Sequence, residues 1–139
     1  MLEHDNNFVH CTYENQVLYI TFKNTLPTDE DWKWAKTTVL SYYTANTQQK
    51  TRFSIVCDML HMPTLPLHRT KDWIAFFNDN KVHTKNTLLC LAYITSNPFV
   101  QASMNMFFRM YKAERPVLFA KTLADAKQFI IDNQKHPPC

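Results

Sequence analysis

The hydrophobic positions of this chain gather into short clusters of two kinds, and their spacing separates strands from helices. Phe8-Val9-His10-Cys11-Thr12-Tyr13 and Val17-Leu18-Tyr19-Ile20-Thr21-Phe22 are rich in β-branched and aromatic residues. Glu14-Asn15-Gln16 separates them, and Asn15 is the residue suited to a positive φ in a chain without glycine. The pair predicts an opening β-hairpin. Phe53-Ser54-Ile55-Val56-Cys57-Asp58 and Thr87-Leu88-Leu89-Cys90-Leu91-Ala92-Tyr93-Ile94 are nearly continuous apolar runs, as expected of strands buried on both faces. Arg115-Pro116-Val117-Leu118-Phe119-Ala120 predicts a further strand.

Helical spacing fills the intervals. Thr28 is placed to cap a helix whose first turn holds Asp29, Glu30 and Asp31, acids that favour its positive dipole end. Trp32, Ala35 (or Lys36), Val39 and Tyr43 then recur along one face to Asn46. Pro63 and Pro66 make Met59–Leu67 a loop, after which Trp73, Ile74, Phe76 and Phe77 mark a second helix ending near Asn80. Asn97-Pro98 starts a third, through Met104, Phe107, Phe108 and Tyr111 to Ala113. Thr122-Leu123-Ala124-Asp125 caps a fourth, with Leu123, Ala126, Phe129 and Ile130 toward the sheet. The order β-β-α-β-α-β-α-β-α predicts an α/β fold with a mixed, mostly parallel five-stranded sheet and helices packed against it. One domain is expected over residues 1–139, with its core over 7–134 and a short tail over 135–139.

Composition narrows the function classes. Hydrophobic residues are 45% of the 139, enough for a core without staples. The absence of glycine removes the phosphate loop, the dinucleotide turn and the serine nucleophile elbow, all of which need its backbone freedom. Cys11, Cys57, Cys90 and Cys139 form no close pair, so no zinc-ribbon or dithiol motif arises, and Cys57 and Cys90 read as small buried hydrophobes. The net charge of +3 is modest and its lysines are interleaved with acids, which gives no nucleic-acid stripe. The acidic, polar start Met1-Leu2-Glu3-His4-Asp5 is unlike a secretory signal, and no apolar run is long enough for a membrane helix. A cytoplasmic protein is the expectation.

Three stretches over residues 7–134 carry a resemblance to the STAS fold, in particular its SpoIIAA-like group. They are Val17-Leu18-Tyr19-Ile20-Thr21-Phe22 leading to a helix, Phe53-Ser54-Ile55-Val56-Cys57-Asp58 closing on an acid, and Arg115-Pro116-Val117-Leu118-Phe119 followed by Thr122-Leu123-Ala124-Asp125-Ala126. The resemblance implies a non-enzymatic interaction or scaffolding module. Family members of the usual type carry a phosphorylated serine in a D-S-S-G-like phrase at the start of the second helix. Here Asp58 matches the strand-ending acid, but no serine follows it, and Thr64 and Thr70 are the hydroxyls of the region.

Candidate site residues follow from the rule that ligands bind outside the carboxyl ends of parallel strands. Asp58, His61, Thr64, His68, Arg69 and Thr70 lie in or beside the proline loop expected there. A Cys57–His61–Asp58 catalytic grouping is disfavoured, because neighbours on a strand face opposite ways. The spacing of His61 and His68 matches no standard metal phrase, so no metal or cofactor is predicted. The third helix is apolar nearly all round, which makes Met106, Phe107, Phe108 and Met110 candidates for an interface, as does Trp34, which cannot share a helix face with Trp32. A protein partner or a second copy of the chain is expected on these faces. The competing expectation is a small-molecule or lipid binder using the apolar interior, with Tyr93, His68 and Arg69 as its polar groups. An enzyme built on the Cys, His and Asp residues ranks third.

Overall fold

A computed structural model describes residues 2–135 as a six-stranded sheet with five helices. In chain order the elements are β1 (Leu2–Asp5), β2 (Val9–Glu14), β3 (Val17–Phe22), α1 (Asp29–Gln49), β4 (Phe53–Asp58), α2 (Leu67–Asp79), α3 (Lys81–Thr87), β5 (Leu88–Ile94), α4 (Pro98–Met110), β6 (Val117–Ala120) and α5 (Leu123–Lys135). The strands lie side by side in that order. β2 runs antiparallel to its neighbours β1 and β3, and β3 to β6 are parallel. The α/β class and the mixed sheet agree with the pattern of the sequence. Of the tail expected over 135–139, Lys135 is the last residue of α5, and residues 136–139, Cys139 included, lie outside the described residues.

The hairpin between β2 and β3 turns at Asn15 and Gln16, with φ of 52° and 61°. Asparagine was the expected choice, and glutamine takes the second left-handed position that a tight primed turn demands. At the start of α1 the Thr28 hydroxyl accepts from the Asp31 N–H at 3.1 Å, while the Asp31 carboxylate accepts from the Thr28 N–H at 3.2 Å. This reciprocal pair satisfies two backbone donors at the helix end. The helix continues past Asn46 to Gln49 because buried Asn46 serves the helix: its amide donates to the Tyr42 carbonyl and its oxygen accepts from Thr51. Lys50 then closes it in the left-handed region, at φ 57°.

Two elements exceed the expectation of five strands and four helices. β1 is a short outer strand whose register sets Glu3 opposite Thr12 and Asp5 opposite His10. Charged side chains on an exposed edge give it no apolar signature. α3 follows a break at Asn80, and apart from exposed Val82 its residues are polar. It is held by tertiary bonds, with the Thr84 hydroxyl donating to the Tyr43 hydroxyl at 3.1 Å in the interior.

The two faces of the sheet are covered unequally. On one, α1, α2 and α4 bury Val39, Tyr43, Phe77, Met104 and Phe107 against Leu18, Ile20, Ile55, Cys57 and Leu91. On the other, α5 sets Ala126 and Ile130 over Val56, Cys90, Ala92 and Ile94. Beside α5 the outer face of β2 and β3 carries His10, Thr12, Tyr19 and Thr21, which are partly exposed. That alternation of apolar and polar residues is what a half-solvated antiparallel hairpin requires. Among the described residues, no helix is long and apolar enough to cross a membrane.

Candidate functional site: the carboxyl edge of the parallel strands

Because β3, β4 and β5 are adjacent and parallel, the segments that follow them meet at one edge of the sheet. Side-chain bonds lock these segments together. Asn97, the cap of α4, accepts from the Phe99 N–H and donates from its amide to the carbonyls of Met62 and Pro63, at 3.3 and 3.0 Å. The Ser103 hydroxyl donates to the Leu65 carbonyl at 3.1 Å. Arg69 reaches from α2 to α1, donating to the Pro27 carbonyl at 3.2 Å and the Asp29 carboxylate at 2.9 Å. The loop over residues 59–66 is therefore tied on both sides, although it belongs to no helix or strand.

The residues singled out from sequence take different places on this edge. The Asp58 carboxylate accepts from the Leu60 N–H at 3.1 Å, so it shapes the first bend of the loop. Its neighbour Cys57 lies on the opposite face, in the large core, while Asp58 borders an open groove with Thr21, Tyr19 and Lys127. The strand alternation thus parts the two, as expected. His61, Thr64 and His68 are exposed, and Arg69 is spent on α1. Thr70 is a correction: at 1% exposure it is core, its hydroxyl donating to the Pro66 carbonyl. Helical geometry turns it inward three positions before Trp73, on the buried face of α2. Among the described residues no three His, Cys, Asp or Glu side chains come together as a metal site would require.

The interface residues expected on α4 and α1 also divide. Phe107 is 1% exposed and belongs to the core, so it offers no surface. It stacks edge-on against Phe77 and Phe108, because α4 is flanked by α2 as well as by the sheet. Phe108 and Trp34 are half-buried and pack against that core, Met106 is half-buried, and Met110 is exposed.

Two sets of residues are not assembled by the sequence pattern, although Tyr93, in the second, is among the polar groups expected of an apolar pocket. The first is an exposed apolar group on the segments that follow β3, β4 and β5: Leu26, Leu60, Leu67 and Phe99, the last 76% exposed. The second lines a cavity of about 20 Å³ beneath the 59–66 loop. Met59, Met62 and Leu65 roof it, Trp32 and Trp73 wall it, and Phe22, Cys57, Tyr93 and Met104 complete it. Met59, Met62 and Leu65 stand three apart, a signal present in the sequence but masked by the prolines between them.

Burial sets the chemistry of these groups. It pushes the Cys57 thiol far up and that of Cys11 up to about 12, so neither provides a thiolate near neutrality. Burial likewise raises the Tyr93 hydroxyl, which Trp73 approaches closely enough to offset the rise in part, without the geometry of a hydrogen bond. No protein-family model and no curated protein matches this chain.

Proposed function

We propose that this chain is a non-enzymatic, STAS-like interaction module that docks a protein partner on the carboxyl edge of its sheet, without a phosphoserine switch. One observation carries this reading: Phe99 and Leu67, at 76% and 50% exposure, stand on the first turns of neighbouring helices, among exposed His61, Thr64 and His68. Large apolar side chains held in water on a braced edge are what an interface anchor needs. The ordering cost of docking is small where the loop is already tied by Asn97 and Ser103. Asp29 and Glu30 are exposed at the start of α1 on the same edge, so the matching surface is apolar with a basic flank. The cytoplasm is the compartment this reading implies.

A photo-crosslinking residue at position 99, with a control at Gln48 on the far end of α1, tests the reading in cells. A discrete protein adduct at 99 that disappears with Leu67→Asp supports it; adducts equal at both positions overturn it. If the adduct is a second copy of the chain, sedimentation of the purified protein shows a dimer that Leu67→Asp dissolves.

The small-molecule or lipid-binding alternative expected from sequence called for Tyr93, His68 and Arg69 to converge. His68 is exposed, Arg69 is engaged with Asp29 and Pro27, and only Tyr93 lines the cavity. That trio does not assemble a headgroup site.

A further inference from the structure

The sheet ends in β1 on one side and β6 on the other, and the two end strands are guarded unequally. β1 keeps Glu3, His4 and Asp5 in solvent, and charged side chains along an edge deter a further strand. β6 reads Val117-Leu118-Phe119-Ala120 and carries no charge. The direction of its backbone groups follows from its bonds to β5. The Leu91 N–H donates to the Pro116 carbonyl and the Thr95 N–H to the Ala120 carbonyl, so the even positions turn inward. Alternation turns the N–H and C=O of Val117 and Phe119 outward, where, among the described residues, nothing bonds to them. Both cores also open at this edge. Phe108, Val117 and Phe119 are half-buried on the α4 side, and Leu118 and Phe129 on the α5 side.

We infer that the β6 edge is a docking site for an extended segment of a protein partner, apolar at alternate positions and acidic at its ends, which joins the sheet as a further strand. Such a strand satisfies the outward groups of Val117 and Phe119. Its side chains fall alternately over Phe108 and Phe119 and over Leu118 and Phe129. Charge selects its ends. Between residues 109 and 121 the bases are Arg109, Lys112, Arg115 and Lys121, and Glu114 is the sole acid. The same charges weigh against a second copy of this chain. Antiparallel self-pairing about Leu118 sets Val117 across from Phe119 but Arg115 across from Lys121, a like-charge pair on each side. The β1 strand of another copy offers acids, but Glu3, His4 and Asp5 run consecutively and leave no apolar alternation to cover the edge. β6 has four residues, so backbone bonds alone make a weak ladder and the apolar and charged contacts add the rest. None of these residues belongs to the docking surface of Phe99 and Leu67.

Selection from a library of short random peptides against the purified protein tests the inference. Enriched peptides are expected to alternate apolar residues between terminal Asp or Glu. A bound peptide should slow amide hydrogen exchange at Val117 and Phe119 by roughly tenfold or more, while Leu118 and Ala120 are protected from the start. Val117→Pro removes one outward donor and none of the bonds to β5, so it should bind the peptides roughly threefold to tenfold more weakly with its circular dichroism retained. Leu67→Asp should bind them as the parent does, which separates this edge from the docking surface proposed above. No enrichment, basic ends in place of acidic ones, or a peptide that leaves the Val117 and Phe119 amides exchanging as before overturns the inference. So does protection of those amides that grows with protein concentration alone, the mark of a second copy. The exchange measurement uses the parent protein, so it decides the matter even where Val117→Pro fails to fold.

Discussion

Arg69 and Asp29 join the first turns of α2 and α1 at 2.9 Å, yet the two ends of this ion pair live in different surroundings: the Arg69 side chain is 12% exposed and that of Asp29 is 95% exposed. An exposed carboxylate in water contributes little Coulomb energy. Arg69 also lies over the Trp32 ring and donates to the Pro27 carbonyl, so its value lies in packing and in that carbonyl. Asp29→Ala is therefore expected to leave the urea midpoint almost unchanged, and Arg69→Ala to lower it clearly. Equal losses from the two variants would assign the effect to the ion pair instead.

The reciprocal cap at Thr28 and Asp31 sets a second expectation. Thr28→Ala should cost about 1 kcal/mol, because the Asp31 N–H loses its acceptor at the end of the longest helix. Thr28→Ser should recover most of that loss. Chemical denaturation of the three proteins measures both values, and a neutral Thr28→Ala would remove the cap from the account of α1.

Phe107 and Phe99 sit on the same helix with opposite exposures, 1% and 76%. Truncating a fully buried phenylalanine costs about 3–5 kcal/mol, and placing a charge there costs more. Phe107→Asp is thus expected to unfold the domain, whereas Phe99→Asp keeps the circular dichroism and thermal midpoint of the parent. Loss of partner binding with Phe99→Asp then reads on the interface alone.

Alkaline pH should weaken the fold before neutral or mildly acidic pH does. The Cys11 thiol is pushed by burial from an ordinary 9.0 up to about 12. Below the lower value the thiol is protonated in both folded and unfolded chains, and stability is intact. Above it the unfolded chain ionises and the folded one does not, so stability falls as pH rises toward the upper value, by about 1.4 kcal/mol per pH unit for one such group. The buried groups Cys57, Tyr43 and Tyr93 are raised too and steepen the loss. Urea melts between pH 8 and 11 measure the slope, and Cys11→Ala should reduce it. A flat profile would mean that these groups are solvated in the folded state.

Much of the fold is legible in the chain because the relevant forces are local. The Asn97-Pro98 start, the Thr28 cap and the Asn15 turn each rest on residues within a few positions of one another. β4 and β5 are recognisable because a strand buried on both faces needs apolar residues throughout. β1 and α3 were missed for the converse reason: their partners, Val9–Glu14 and Tyr43, are remote or supply backbone bonds that leave no mark in the side chains.

The site was less legible. Asp58, His61 and His68 drew notice as chemically able residues, yet Asp58 bends a loop and the histidines face solvent. Leu67 and Phe99 resemble any apolar residue in an amphipathic helix, and their exposure depends on where α2 and α4 cross the end of the sheet.

By itself, the order of apolar and polar residues determined the α/β class, the hairpin, the buried central strands and most helix starts, because backbone preference and periodic burial act over a few residues. Only the tertiary structure decided that Phe107 is core while Phe99 is surface, that Cys57 and Asp58 serve different faces, and that Trp32 and Tyr93 share a cavity wall. Those outcomes depend on which distant segments lie across from each residue, and chain closure sets that by packing the whole core at once.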